Sequence, residues 1–269
     1  MRLINLLPGR GLKAVLTVLP FALLLLAYLV ASDARLALNP DDKLLPSLGQ
    51  MSDAVQRYAL QEDARTGGWL WWDDTLASLR RLGLGMAVAT VVALVLGIAL
   101  GAIPLASAAL SPAVAVISMV PPLAILPVLF IVFGLDELSK VMLIVIGIAP
   151  VMTRDLEQRA REIPLEWLIK AQTLGASSWT LILRVVLPQL MPRLLIALRL
   201  ALGSAWLFLI AAEAIASTDG LGYRIFLVRR YLAMDVILPY VAWITLLAWL
   251  MDRALKTLTA RLFPWHEGG

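Results

Sequence analysis

The chain has 269 residues, 61% of them hydrophobic and 16% charged, with a mean hydropathy of +0.85. Soluble domains carry roughly half apolar residues, so this composition excludes one and indicates a polytopic membrane protein. The net charge of +4 sits in short basic clusters beside apolar spans, which argues against nucleic acid. Zero cysteines and the single histidine, His266, exclude disulfide frameworks, thiolate chemistry and multi-histidine metal sites, and no metal or cofactor is expected.

Arg2, Arg10 and Lys13 precede an apolar run at 12–30. The run approaches the roughly 20 residues a hydrocarbon core requires. It exceeds a signal-peptide core and no small-residue cleavage site follows, so it reads as a retained span with a cytoplasmic N-terminus. Residues 32–72 are the most polar stretch and are placed outside. Within them, 47–60 reads as one amphipathic helix with Leu48, Met51, Val55, Tyr58 and Ala59 on one face. Trp69, Trp71 and Trp72 read as an interfacial belt, with Arg80 and Arg81 at the outer interface.

The second span is expected at 82–103, where Gly97 and Gly101 form a GxxxG pattern read as ordinary close packing. The third, at 113–133, is interrupted by Pro121, Pro122 and Pro127. Backbone freed at membrane depth survives only against protein or water, so Pro121 and Pro122 are pathway candidates. The fourth is expected at 138–151 after an outer turn at Asp136 and Glu137.

The loop at 154–192 carries Arg154, Arg159, Arg161, Lys170 and Arg184, which places it inside. It reads as two short helices. Pro164 suits a helix start, and Leu165, Leu168, Ile169 and Gln172 fall near one face. Gly175 suits a left-handed helix end, and Ser177 or Ser178 a cap for a helix at 179–187 that Pro188 and Pro192 terminate. The fifth span, 194–215, holds Arg199, read as structural, and Glu213, read as a functional candidate. Gly220-Leu221-Gly222-Tyr223 reads as a tight outer re-entry, with Arg229 and Arg230 outside. The sixth span is expected at 236–251, with Arg253, Lys256 and Arg261 holding the C-terminus inside.

Ala171, Gly175, Val185, Leu187 and Pro188 resemble the loop signature of ATP-binding-cassette (ABC) importer permeases, whose pattern is Glu-Ala-Ala, three residues, Gly, nine residues, Ile, one residue, Leu-Pro. Ile169 and Lys170 stand at that pattern's Glu and first Ala. The run 173–177 with Trp179, the triplet Leu45-Pro46-Ser47, Ser78 to Arg81, Pro121 to Ala124 and Gly220 to Tyr223 is similar to the nitrate/sulfonate/taurine permease branch, in its order. The resemblance implies an all-α integral membrane protein with six transmembrane helices, the type I importer fold and a cytoplasmic coupling helix. It implies an N-terminal helix and outer loop at 1–80, a core at 81–260 with the coupling loop at 154–192, and a cytoplasmic tail at 261–269. It implies that Lys170, Ala171, Leu174, Gly175, Ala176, Ser177, Trp179, Leu187 and Pro188 meet an ABC ATPase present in two copies. Pro121, Pro122, Glu213, Gly220 and Gly222 are the pathway candidates. The other implied partners are a second copy of the permease, a periplasmic or lipid-anchored binding protein and the lipid of a bacterial inner membrane, with a nitrate-, sulfonate- or taurine-like solute carried.

No Walker A loop, GxxxxGK[ST], is present, so ATP hydrolysis is assigned to the partner and the chain itself is expected not to be an enzyme. An autonomous carrier or channel is the alternative. It would place coupling charges at mid-membrane, where these spans are nearly uncharged. An intramembrane enzyme would need acid, base and nucleophile at one depth, and no such set is seen.

Overall fold

The computed structural model describes residues 9–40, 42–64 and 67–266. Arg2, Asp41 and the side chain of His266 lie outside the described residues. Among those described there is no strand. Eleven α-helices follow in order: α1 (Arg10–Leu38), α2 (Leu48–Leu60), α3 (Leu70–Ala102), α4 (Pro104–Ile117), α5 (Leu126–Phe133), α6 (Glu137–Arg161), α7 (Leu165–Thr173), α8 (Ser178–Leu181), α9 (Leu187–Ala216), α10 (Leu221–Arg229) and α11 (Met234–Leu262).

The centre of the bundle is a pair of parallel helices. Gly85 of α3 meets Ile144 of α6, Gly97 meets Leu156 and Gly101 meets Ala160, with the same sequence offset at each level. A Cβ at these glycines would stand 2.8, 2.6 and 2.3 Å from those side chains. Between lipid-exposed helices there is little hydrophobic gain from association, so close backbone approach and dispersion hold them together. The Gly97–Gly101 pattern is spent on this seam. α9 returns antiparallel against α6, and α11 packs on α9.

α1 stands apart from the bundle. Its apolar flanks, including Phe21, Leu24 and Val30, are exposed. It is tied on at its C-terminal half, where Tyr28 Oη donates to the Pro46 carbonyl at 2.6 Å and Ser32 Oγ to the Leu45 carbonyl at 2.9 Å. Asp42 lies in the adjoining loop. The Leu44 N–H and then the Arg35 guanidinium hold its carboxyl below the usual range.

Four helical stretches are long and apolar enough to cross a membrane: α1, α3, the continuous run Ser178–Ala216 and α11. The pair Pro104–Ile117 and Pro122–Phe133, bent by 82°, adds a fifth when it is counted as one broken span. The count therefore stands at four or five on this measure, against an expected six. α6 fails it because its last turns carry Arg154, Asp155, Glu157, Arg159 and Arg161.

Several boundaries differ from the sequence reading. α3 begins at Leu70, so the second span starts twelve residues before its expected position and runs unbroken past residue 80. Arg80 and Arg81, expected at the interface ahead of the span, lie within it, because the helix has a buried polar face that takes in Asp74, Ser78 and Arg81. Pro127 starts α5 rather than interrupting a helix, and α11 continues to Leu262. Pro188 and Pro192 do not stop the helix that begins at Ser178. Ile182–Val186 forms a π-turn in which the Leu187 N–H reaches the Ile182 carbonyl. That wider ladder makes room for Pro188, which has no N–H to offer and whose ring would clash with the carbonyl four residues back.

Of the three tryptophans read as an interfacial belt, Trp69 and Trp72 are exposed and Trp71 is not. Trp71 is buried against Tyr240 and Trp243, with ring centroids 4.4 and 5.8 Å away. Trp72 meets Trp243 edge-on and donates to the Ala59 carbonyl at 3.0 Å. This aromatic cluster joins α2, α3 and α11. α2 begins at a capping box, Ser47 with Gln50, as its amphipathic pattern leads one to expect. Arg199 does not reach for water alone. It grips Asp252 of α11 with two parallel hydrogen bonds, both 3.0 Å.

Candidate functional site

The two ends of the bundle hold different polar arrangements. At the end where α3, α6 and α11 begin and α9 finishes, the chain loops back through Gly220 into α10. Asp74, Ser78 and Arg81 lie four and three residues apart on α3, so they share one helix face. All three are buried. Glu213 of α9, 0% exposed, faces them. Its carboxylate accepts from Ser78 Oγ at 2.8 Å, Arg81 Nη1 at 2.8 Å and the Gly222 N–H at 2.9 Å. Arg81 also donates to Glu137 of α6 through Nε and Nη2, both at 2.6 Å, and to the Asp219 carbonyl at 3.0 Å. It pairs with the Asp219 carboxylate as well. Asp74 accepts from the Gly220 N–H at 2.9 Å, Arg224 Nε at 2.7 Å and Tyr240 Oη at 3.4 Å. The Leu221 N–H donates to Ser78 Oγ at 2.9 Å.

The re-entry at 219–224 is thus seated on α3 and α9 through ionic and backbone contacts together, and Arg81 and Asp74 carry the network on to Glu137 of α6 and Tyr240 of α11. The glycines are needed for this fit. Gly220 has φ +109°, and a Cβ there would lie 2.5 Å from Glu213 Oε1. A Cβ on Gly222 would lie 2.7 Å from the Ile210 carbonyl.

At the opposite end, α6 leads into an elbow. α7 turns its Leu168 and Ala171 toward the bundle, while Leu165, Trp167 and Ile169 are exposed. It closes in a Schellman turn: the Ala176 N–H reaches the Ala171 carbonyl at 3.0 Å and the Gly175 N–H the Gln172 carbonyl at 2.9 Å, with Gly175 at φ +84°. Ser177 then caps α8, accepting from the Thr180 N–H at 3.2 Å. Leu174 is 88% exposed and Trp179 68%. Lys170, Gly175 and Ser177 are exposed too, whereas Ala171, Ala176, Leu187 and Pro188 are half-buried. An apolar surface of this kind, on a rigid scaffold, marks a contact site. Just before α7, Arg159 holds the Glu162 carboxyl below its usual range by donating to it at 3.0 Å.

Beside the elbow, α4 lies antiparallel to the end of α6 along a line of serines. Arg154 Nη1 donates to Ser118 Oγ at 3.0 Å, Ser111 Oγ to Glu157 at 2.7 Å and Arg161 Nη2 to Ser107 Oγ at 2.6 Å. Between α6 and α9 runs a cavity of about 250 Å³, lined by residues that include Gly147, Val151, Asp155, Leu200 and Ser204. Pro121, Pro122, Glu213, Gly220 and Gly222 do not line it. Pro121 and Pro122 stand at the bend between α4 and α5, and the other three meet one another in the seat.

Sequence reasoning missed Ser78 and Arg81 as partners of Glu213, and Arg224 and Tyr240 as partners of Asp74. The spacing 74, 78, 81 is helical and carries the signal for the face they share.

A family model described as "Binding-protein-dependent transport system inner membrane component" matches residues 89–265, well over half of the chain. The chain belongs to this family. Its match takes in the elbow, the bent crossing and α9 to α11, and begins after Asp74, Ser78 and Arg81. A relative within the family's reach is the taurine transport system permease protein TauC of Escherichia coli (strain K12). It is 37% identical over 195 residues, which cover 72% of this chain and 71% of the relative. Among solved structures, the MetNI methionine ABC transporter in inward-facing conformations matches with a TM-score of 0.63 at 20% identity, covering 72% of this chain and 96% of that one. A bacterial alginate ABC transporter, solved with an alginate pentasaccharide-bound periplasmic protein, matches with a TM-score of 0.62 at 14% identity and covers 94% of this chain and 98% of that one. At such identities these two bear on the fold alone. They agree with an all-α, multi-pass importer-permease architecture for this family member.

Proposed function

We propose that the chain is the permease subunit of an ATP-driven importer, working as one half of a twofold pair. Each copy meets one copy of a separate ABC ATPase, which supplies the hydrolysis, and a binding protein on the outer face delivers the solute. The observation that carries this reading is the elbow. Leu174 and Trp179 are large, apolar and exposed, yet they are held by a Schellman turn and a serine cap rather than by a floppy loop. Lys170, Ala171, Leu174, Gly175, Ala176, Ser177 and Trp179 form the contact, and Leu187 and Pro188 root it in α9. The basic loop lies inside, with both chain termini on the same side.

The cavity between α6 and α9 is part of the pathway, completed by the second copy. Given the relative named for taurine transport, the solute is a small sulfonate-like molecule. Pro121 and Pro122 shape the same pathway from the bend, whereas Glu213, Gly220 and Gly222 act on it indirectly, by fixing the outer re-entry.

The test is Gly175→Val in the complex reconstituted with its ATPase. A β-branched residue at φ +84° is strained, so the elbow should lose its shape while the bundle remains folded. Substrate-stimulated ATP hydrolysis should fall to the basal rate. Unchanged stimulation would sink the reading. Cysteines placed at Asp53 and at Lys170 should react with impermeant reagents from opposite sides of the membrane.

A further inference from the structure

The short turn at 229–232, between α10 and α11, sits at the end of the bundle opposite the elbow, and its chemistry is unspent. Arg229 and Arg230 are exposed. Neither has a carboxylate partner among the described residues, and Arg229 only lies over the Phe226 ring at 4.8 Å, which orders the side chain without neutralising it. Nearby acids are already engaged: Asp235 by Arg57 at 3.3 Å, Asp42 by Arg35 and Asp74 by Arg224.

Next come Tyr231, 70% exposed, and Leu232, 56% exposed. Leu232 has φ +54° and, among the described residues, no other non-glycine has a positive φ. Such a conformation costs on the order of 1–3 kcal/mol and persists where the surroundings enforce it. Here the Leu232 N–H bonds to the Arg229 carbonyl at 3.0 Å and the Met234 N–H to the Leu232 carbonyl at 2.8 Å. The strain keeps an apolar side chain in the open. Beside it lies a cavity of about 590 Å³ lined by Asp42, Lys43, Pro46, Gln50, Tyr231, Ala233 and Asp235.

We propose that this turn and the cavity beside it are the docking point for a soluble outer-face protein whose contacting rim is rich in carboxylates. Two free guanidiniums call for acidic partners. Arginine and tyrosine are the residues that concentrate binding energy at protein interfaces. Asp42, Lys43, Gln50 and Asp235 place charged and amide groups in the cavity wall, which suits the side chains of a protein rim better than an acyl chain. The site also has a route inward. The opposite face of α10 carries Gly220, Leu221, Gly222 and Arg224 on Asp74, Ser78 and Glu213. Docking therefore presses on the helix that is seated in the bundle.

This inference rests on the permease reading, with the system's own binding protein as the partner. The experiment uses the complete complex of permease and ATPase in vesicles, with that purified binding protein added outside and polyglutamate as a competitor. The readout is the concentration of binding protein that half-maximally stimulates ATP hydrolysis. Reversing both charges, Arg229→Glu with Arg230→Glu, should raise it about tenfold at low salt, and raising the salt should shrink the difference. Leu232→Gly, which relieves the strain and removes the side chain, should raise it severalfold at any salt. Hydrolysis without binding protein should not change, and polyglutamate should compete with wild type but not with the reversed variant.

Half-saturation within twofold of wild type for the charge reversal would overturn the proposal. So would a shift that follows the anionic lipid content of the vesicles, because the turn would then be meeting headgroups. If the wild-type complex shows no stimulation at all, the permease reading falls and this inference falls with it.

Discussion

The seat around Glu213 and the serine line beside the elbow lie at opposite ends of the bundle and both tie α6 to its neighbours, and they are built to opposite specifications. In the seat, Glu213 and Arg81 are buried and each is satisfied from several elements at once. Along α4, Ser107, Ser111 and Ser118 bond to a mostly solvated edge of α6. Removing one partner of a buried ion pair leaves an uncompensated charge and costs about 3–5 kcal/mol, whereas an exposed pair is worth roughly 0–1 kcal/mol. The seat is therefore the firmer of the two joints and the serine line the weaker. A bundle that is firm at the seat and looser beside the elbow is suited to the proposed role, in which movement enters at the elbow.

The strongest way to break this contrast is Arg81→Ala. It leaves the buried Glu213 without its cation, whereas Glu137 keeps Lys140 and Asp219 faces solvent, and we expect about 3–5 kcal/mol of destabilisation, read as loss of folded protein from detergent extracts. Normal accumulation and an unchanged melting temperature would show that the seat is not a structural anchor. Gly220→Ala comes next. Its Cβ would meet the Glu213 carboxylate at 2.5 Å in a backbone conformation unfavourable to alanine, so a loss of about 1–3 kcal/mol is expected and should appear as a lower melting temperature. Gly101→Ala presses on the Ala160 Cβ and tests the parallel seam. We expect about 1–3 kcal/mol from overpacking, again read by thermal melting, and a neutral result would mean that α3 and α6 can slide apart without penalty. Ser111→Ala, on the serine line, should cost no more than about 1 kcal/mol and leave the melting temperature nearly unmoved. An effect as large as that of Arg81→Ala would erase the difference between the two ends.

Much of this was legible in the sequence. The elbow could be placed from Pro164, Gly175 and the serine cap because helix ends are set by local chemistry. The α2 helix followed from its amphipathic spacing. What escaped was long-range. Glu213 looked poorly covered because its chain neighbours Ala211, Ala212 and Ala214 are small, yet its cover comes from Ser78, Arg81 and Gly222. Arg199 looked like a snorkelling residue because Asp252 lies 53 positions away. Pro188 looked like a stop because the π-turn that accommodates it leaves no composition signal. Polar residues on α3 disguised a helix, since a charged face reads as solvent unless its partners are known.

The run Ser178–Ala216 has 39 residues, which at 1.5 Å each makes a rod about 58 Å long. One tip carries Trp179 and the other is clamped at Glu213. With no break at Pro188, a sideways load on the Trp179 tip has no joint in which to dissipate, so it is carried along the rod as leverage about the Glu213 clamp.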